Sequence, residues 1–293
     1  MSKRKPAKAQ KRYRWRCNKA FIAGMCIICF FLLIAIFAPW LTPYDPDEMT
    51  TAYLSPSKEH LLGTNDLGQD IFTEVLYGTR VSLEIGIFSA FIVTGVGTVL
   101  ALISGYFGGL ADKIITAVTN VAMAIPSLPL TVLLVAYLNP GKLSLIIAIS
   151  ITSWTGTTRI LRARVQQIAQ QPFIKIEKSM GVRAPVILFK HILPNIRDII
   201  MTRGALSVSS AMVTEAGLSF LGLGTFGEES WGSVLHYAFF RNSILLNQYW
   251  WYIPPIICIC VAVLGFMLIG YYGKVERVRV EKEASVEKEA IVE

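Results

Sequence analysis

The sequence predicts an all-α, polytopic membrane protein with six transmembrane helices and both termini in the cytoplasm, and three observations carry this. First, five runs without a charged residue cover 20–44, 85–111, 114–141, 143–158 and 242–273. A helix crosses the hydrocarbon with about 20 mostly apolar residues, and only helices and closed barrels satisfy their backbone there. Second, of 293 residues 53% are hydrophobic and 16% charged, against roughly 25% charged in an ordinary soluble domain. Third, the formal charge of +8 is concentrated rather than spread: residues 1–20 hold nine Lys/Arg and no acid, residues 274–293 hold five basic and six acidic residues, and the remainder is neutral. Together these exclude a soluble enzyme or a DNA-binding domain, and no nucleic-acid partner is expected.

In chain order, residues 1–19 form a basic cytoplasmic arm. The first transmembrane helix covers 20–41; it is longer than the ~7–15-residue apolar core of a signal peptide and no small-x-small site precedes Pro39-Trp40-Leu41-Thr42-Pro43, so it reads as a retained anchor. Residues 42–81 follow outside, starting with the stiff Pro43-Tyr44-Asp45-Pro46-Asp47 and holding two basic and seven acidic residues. A five-helix core occupies 82–273, with spans at 82–104, 113–137, 141–157, 199–222 and 250–273. Pro126 and Pro129 are expected to kink the second of these. Arg203 and Glu215 interrupt the fourth, which is otherwise small and apolar enough to pack among other helices, with its charges turned to protein or water. The loop 158–198 carries eight basic residues against Glu177 and Asp198, 223–249 has Arg241 as its one basic residue, and 274–293 is a charged tail. Basic loops stay in the cytoplasm, which places the arm, the 158–198 loop and the tail inside and the acidic 42–81 segment outside. Trp250, Trp251 and Tyr252 read as an interfacial belt. Cys17 in the arm and Cys26, Cys29, Cys258 and Cys260 in apolar runs imply no disulfide framework.

The 158–198 loop is patterned. Arg159 to Ile168 has basic residues at helical spacing opposite apolar ones and extends the preceding span. Beyond Gln171-Pro172, the stretch 173–181 reads as a short amphipathic helix with Gly181 placed to cap it. Two readings stay open on these residues alone: a solvated basic loop on anionic lipid, or a helix that docks a cytoplasmic partner through Phe173, Ile174 and Met180. Within the spans, Glu215 suits a helix-to-helix hydrogen bond and Glu84 lies near the outer end. His60 and His236 outside and His191 inside form no ligand pair. No Gly-x-x-x-x-Gly-Lys-Ser/Thr loop occurs, so ATP is not expected to bind here.

Several segments, in order, resemble the permease subunits of binding-protein-dependent ABC importers, in the branch that carries dipeptides, oligopeptides or nickel, and within it the second permease. They are His60-Leu61-Leu62-Gly63-Thr64-Asn65-Asp66-Leu67-Gly68-Gln69-Asp70, Gly78-Thr79-Arg80-Val81-Ser82-Leu83, Ser104-Gly105-Tyr106-Phe107-Gly108-Gly109 with Asp112, Phe189-Lys190-His191-Ile192-Leu193-Pro194-Asn195, Glu215 to Gly224, and Trp231-Gly232. Gly181 followed by His191-Ile192-Leu193-Pro194 is similar to the family's cytoplasmic motif, although Lys175-Ile176-Glu177 stands where Glu-Ala-Ala is usual. Asn65 and Gln69 stand where Asp and Arg are usual, and Pro254-Pro255 where Pro-Gly is common.

The resemblance implies the type I importer permease fold in a bacterial plasma membrane, with a second homologous permease, two cytoplasmic ABC ATPases that bind ATP and Mg, and an extracellular substrate-binding protein as partners, besides membrane lipid. It implies a non-catalytic subunit without a cofactor or metal of its own, and peptide as cargo, with nickel or a metal chelate as the alternative. ATPase coupling would fall to Phe173, Ile174, Glu177, Lys178, Met180, Gly181 and Arg183. Gating or binding-protein contact would fall to Asp66, Asp70, Arg80 and Glu215, with 42–81 as a scoop-like segment. An ion-driven secondary transporter would need paired midplane charges and repeated halves; Arg203 and Glu215 are the sole candidates for the former. An intramembrane hydrolase built on Ser219 lacks a membrane-embedded histidine.

Overall fold

The computed structural model describes residues 18–139, 141–225 and 227–273. Most of the basic arm, Cys17, Pro140 and the tail 274–293 lie outside the described residues. Those described are mostly helical, with a single isolated bridge between Thr64 and Asp70 and no strand.

Helix α1 (Lys19–Leu41) starts where the Asn18 side chain accepts the Ala20 N–H, and its apolar residues face every direction. Such a helix needs lipid or protein all round. It buries Ile28 and Phe31, the latter edge-on to Trp231 with centroids 5.4 Å apart, and leaves Phe30, Ile36 and Trp40 exposed.

Helix α2 (Ile71–Phe107) has 37 residues, about 55 Å at 1.5 Å per residue. It begins eleven residues before the expected span at 82–104, so the last eleven residues of the 42–81 segment are helical. The reason is local: Asp70 caps the helix by accepting from the Thr73 N–H and hydroxyl, both at 2.9 Å. The polar Thr73, Glu74, Thr79 and Arg80 conceal these turns from a hydropathy count. Farther along, α2 lies tightly on α5 (Lys142–Ala169), because a Cβ on Gly97 would come 2.8 Å from Thr157 and one on Gly105 2.7 Å from Val165. Small residues at such crossings let backbones approach where hydrophobicity offers no drive.

The expected span at 113–137 is two helices, not one kinked helix. Helices α3 (Gly109–Ala124) and α4 (Ser127–Leu138) meet at 88°, with Ile125 extended before Pro126 and Pro129 in the first turn of α4. Helix α5 runs unbroken through Arg159–Ile168, as the basic spacing there predicts.

Beyond it come α6 (Pro172–Ser179), α7 (Ala184–Val186), a π-helical turn at Ile187–Ile192, α8 (Leu193–Leu218), a second π-helical turn at Ser219–Leu223, α9 (Trp231–Phe240) and α10 (Tyr249–Tyr272). Trp251 is buried against the α1–α2–α9–α10 core rather than standing in an interfacial belt, since α10 turns it inward toward Tyr53. Among the described residues, four helical stretches are long and apolar enough to cross a membrane: α1, α2, Ala184–Leu223 and α10. A fifth is added if the bent α3–α4 pair is one span.

Candidate coupling face and outer vestibule

At one end of the bundle α6 is held against α2, α5 and the first π-helical turn. Pro172 occupies its first turn, where a missing N–H costs nothing. Its end is a Schellman closure: Val182 N–H donates to Glu177 C=O and Gly181 N–H to Lys178 C=O, both at 3.1 Å, with Gly181 at φ +75°.

The two faces of this helix differ in a way the sequence reading missed. Ile174, expected to be an exposed anchor, is 0% exposed and packs with Tyr106, Val165, Ile168, Ile187, Ile192 and Ile196. Glu177 pairs with His191 Nε2 at 3.1 Å, and the Lys178 ammonium sits 4.1 Å over the Tyr106 ring. Phe173, Ile176 and Met180 form the outward stripe, at 40%, 59% and 75% exposure. Spacing of three and four residues puts these three on one face; that rule, applied to 173–180, finds Ile176 and turns Ile174 inward. Arg183, also exposed, precedes α7 in an extended conformation.

Beside this face Asp112 joins three helices. It accepts two hydrogen bonds from Arg162, at 2.5 and 2.7 Å, one from the Ser104 hydroxyl and a longer one from Gln166 at 3.4 Å. Arg162 was unmarked in the sequence reading; its place on the Asp112 side of the α5 extension is set by tertiary packing.

At the opposite end, residues 42–70 fold over the start of α2. Asp70, besides capping, binds His60 Nδ1 at 3.0 Å, and His60 stacks on Tyr44. Asp66 pairs with Arg241, just past α9, at 2.7 Å. Arg80 donates to Glu84 at 3.3 Å, and Lys142 bonds Glu84 at 3.0 Å and also pairs with Glu228. Arg80, Glu84, Lys142 and Glu228 edge a cavity of about 470 Å³ whose wall includes Asp47, Glu74 and Glu229. Asn65 donates to Glu74 at 2.5 Å and to Gln69 at 2.9 Å. The amide at 65 therefore faces a carboxylate, where an Asp would repel it. Glu74 Oε2 and Glu229 Oε2 are buried without a hydrogen-bond partner among the described residues. Burial, then Asp66 and Asp47, push the Glu229 carboxyl up to about 7. The adjacent acids Glu228-Glu229 were the one signal for this wall in the sequence.

Glu215 is set apart from that cavity. Fully buried, it accepts from Ser82 at 3.1 Å and from Ser219 at 2.8 Å, while Ser82 also accepts the Trp231 N–H at 3.2 Å. The indole N–H of Trp231 reaches Val75 C=O at 2.9 Å. One carboxylate thus ties α2, α8 and α9 together in a medium where unpaired polar groups are costly.

The chain is similar to known proteins in sequence and in fold. The model of the N-terminal TM domain of oligopeptide transport permease C matches residues 10–58. The oligopeptide transport system permease protein OppC of Bacillus subtilis is 36% identical over 260 residues, 88% of this chain and 84% of that protein. The dipeptide transport system permease protein DppC of Alkalihalophilus pseudofirmus is 38% identical over 259 residues, 86% and 83% of the two chains. The glutathione transport system permease protein GsiD of Pectobacterium atrosepticum is 34% identical over 259 residues, 87% and 85% of the two. A solved structure of inward-facing conformations of the MetNI methionine ABC transporter superposes with a TM-score of 0.54 at 15% identity, over 70% of this chain and 98% of that one. That likeness is one of fold, the type I importer permease fold. The model of binding-protein-dependent transport system inner membrane components matches residues 97–275, and with relatives of this identity over most of its length the chain belongs to that family, the multi-pass inner-membrane permease subunits of ABC importers.

Proposed function

We propose that this chain is one of two permease subunits of an ATP-driven importer that takes up di- or oligopeptides through the bacterial plasma membrane. In this reading the first half of α5 completes six spans with both termini in the cytoplasm. Residues 42–70 and the acidic cavity face a substrate-binding protein outside, and the end bearing α6 faces two ATPases that bind ATP and Mg. The chain itself supplies no catalytic group. The relatives named for oligopeptide, dipeptide and glutathione transport favour peptides over nickel.

The observation that carries the coupling role is the outward stripe of Phe173, Ile176 and Met180 on a helix whose other face is fixed in the bundle. An amphipathic helix presents such a stripe to a partner's groove. Because Ile174, Glu177 and Lys178 anchor the same helix to α2, α5 and the π-helical turn, a push on the stripe is passed to the spans as a rigid-body movement, which switches access from outside to inside.

The test is reconstitution of this chain with its second permease, ATPases and binding protein in proteoliposomes. Uptake of labelled peptide that requires ATP and all the subunits is the expected result. Peptide uptake that runs on an ion gradient without ATPases, or calorimetry in which the binding protein takes nickel chelates and no peptide, would overturn it.

A further inference from the structure

Arg203 lies near the middle of α8 and has no hydrogen-bond or ion-pair partner among the described residues; its Nε is buried and unsatisfied. It borders a cavity of about 460 Å³ between α2, α5, α8 and α10, lined also by Ser153, Ser207, Ser210, Thr214 and Tyr271. That volume falls in the roughly 300–1,000 Å³ range of small-ligand sites.

On α8, residues 203, 207, 210 and 214 recur at helical spacing, so the guanidinium and three hydroxyls share one face. The hydroxyls of Ser153, Ser207 and Ser210 make no protein hydrogen bond among the described residues, in contrast to Ser209 on the buried side, which bonds Val263 C=O at 3.2 Å. Of the acids on α8, Asp198, five residues before Arg203, pairs with Arg197 at 3.5 Å, and Glu215, three turns on, is engaged by Ser82 and Ser219. A charged side chain in a spanning segment is costly and faces a partner, water or a pathway. The described residues provide no carboxylate for this one, yet the cavity beside it is lined by free hydroxyl donors.

Building on the peptide-importer reading, we propose that Arg203, with Ser207 and Ser210, forms a midmembrane site for the C-terminal carboxylate of the peptide in transit. The planar guanidinium matches a carboxylate with two parallel hydrogen bonds, and the hydroxyls donate to its remaining lone pairs. The same site passes over a peptide whose C-terminus is an amide, because that group brings no charge to the guanidinium.

The test uses the purified complete importer without binding protein, and fluorescence anisotropy of a fluorescein-labelled tripeptide and its C-terminal amide. The free acid is expected to bind about 10-fold more tightly, a difference of about 1.4 kcal/mol. Arg203→Gln removes the preference and Arg203→Lys keeps part of it. If Arg203→Gln fails to assemble, Ser210→Asp serves instead: it places a carboxylate beside the guanidinium and must abolish the preference. Equal binding of acid and amide by the unaltered importer, a preference that survives both substitutions, or binding of neither peptide overturns the site, as when Arg203 pairs with an acid of the second permease. ATP-driven peptide uptake, run alongside, separates the two readings: uptake without carboxylate preference retires this site alone, and no peptide uptake retires the peptide importer.

Discussion

The guanidinium of Arg162 holds the carboxylate of Asp112 with two parallel bonds, Nε to Oδ1 at 2.5 Å and Nη2 to Oδ2 at 2.7 Å, over 50 residues of sequence. Ser104, at the end of α2, bonds both partners. The end of α2, the start of α3 and the second half of α5 are therefore one joint, and Tyr106 in that joint carries Lys178 of α6. Both partners are only partly exposed, so the pair is worth more than a surface ion pair but less than a buried one, about 1–2 kcal/mol. Asp112→Ala is expected to lower the melting temperature of the purified complex by about 2–8 °C, and to reduce peptide uptake more than ATP hydrolysis, because α6 loses its footing. Arg162→Lys keeps the charge without the fork and should lose about half as much. An unchanged melting temperature together with unchanged uptake would show the joint to be incidental.

Ile174 and Ile176 separate folding from docking. Ile174→Ala opens a hole in a closed apolar cluster and should cost about 2–5 kcal/mol, seen as a lower melting temperature or poor membrane yield. Ile176→Ala removes an exposed side chain and should leave the melting temperature within about 1 °C, while weakening ATPase capture by affinity pull-down several-fold. If the two variants behave alike, α6 has been assigned the wrong outward face.

The apolar helices α1 and α10, the helical extension through Arg159–Ile168 and the short helix near 173–181 were legible, because each rests on a local pattern: a charge-free run, helical spacing, a glycine at a helix end. The bounds of α2 were not, since Asp70 starts the helix through one cap while Thr73, Glu74 and Arg80 give the first turns a polar composition. The outward face of α6 was half legible. Its amphipathic character and the 173/176/180 spacing are in the sequence, but the residues that Ile174 packs with, Ile187 and Ile192, lie more than ten positions on. The Glu215 bonds depend on Ser82, 133 residues away, so sequence could suggest a buried hydrogen bond and not name its donor.

Gly181 sits at φ +75° with open space around its missing Cβ. A side chain there strains the backbone by about 1 kcal/mol but meets nothing within the chain. Gly181→Asp is therefore expected to insert and assemble, and to cut transport at least ten-fold while ATP hydrolysis continues, because the added carboxylate points to where an ATPase would lie. Transport at the normal rate in an assembled Gly181→Asp complex would remove the coupling assignment.

Glu229 gives the acidic cavity a pH dependence of definite sign. Its carboxyl is raised from an ordinary 4.5 to about 7, by burial first and then by Asp66 and Asp47. Between those values the folded state keeps a proton that the unfolded chain has released, so raising the pH through this window favours unfolding. The contribution of this group is full below about pH 4.5 and lost above about pH 7. Discounted for a side chain that is only half-buried overall, it amounts to about 1–2 kcal/mol. Glu229→Gln keeps the shape and removes the titration. The variant should match the unaltered complex at pH 5 and melt about 3–6 °C higher at pH 8, read by intrinsic fluorescence in the same detergent. An equal shift at both pH values would mean that Glu229 acts through packing or a hydrogen bond, and that its charge is neutralised by a neighbour in the assembled importer.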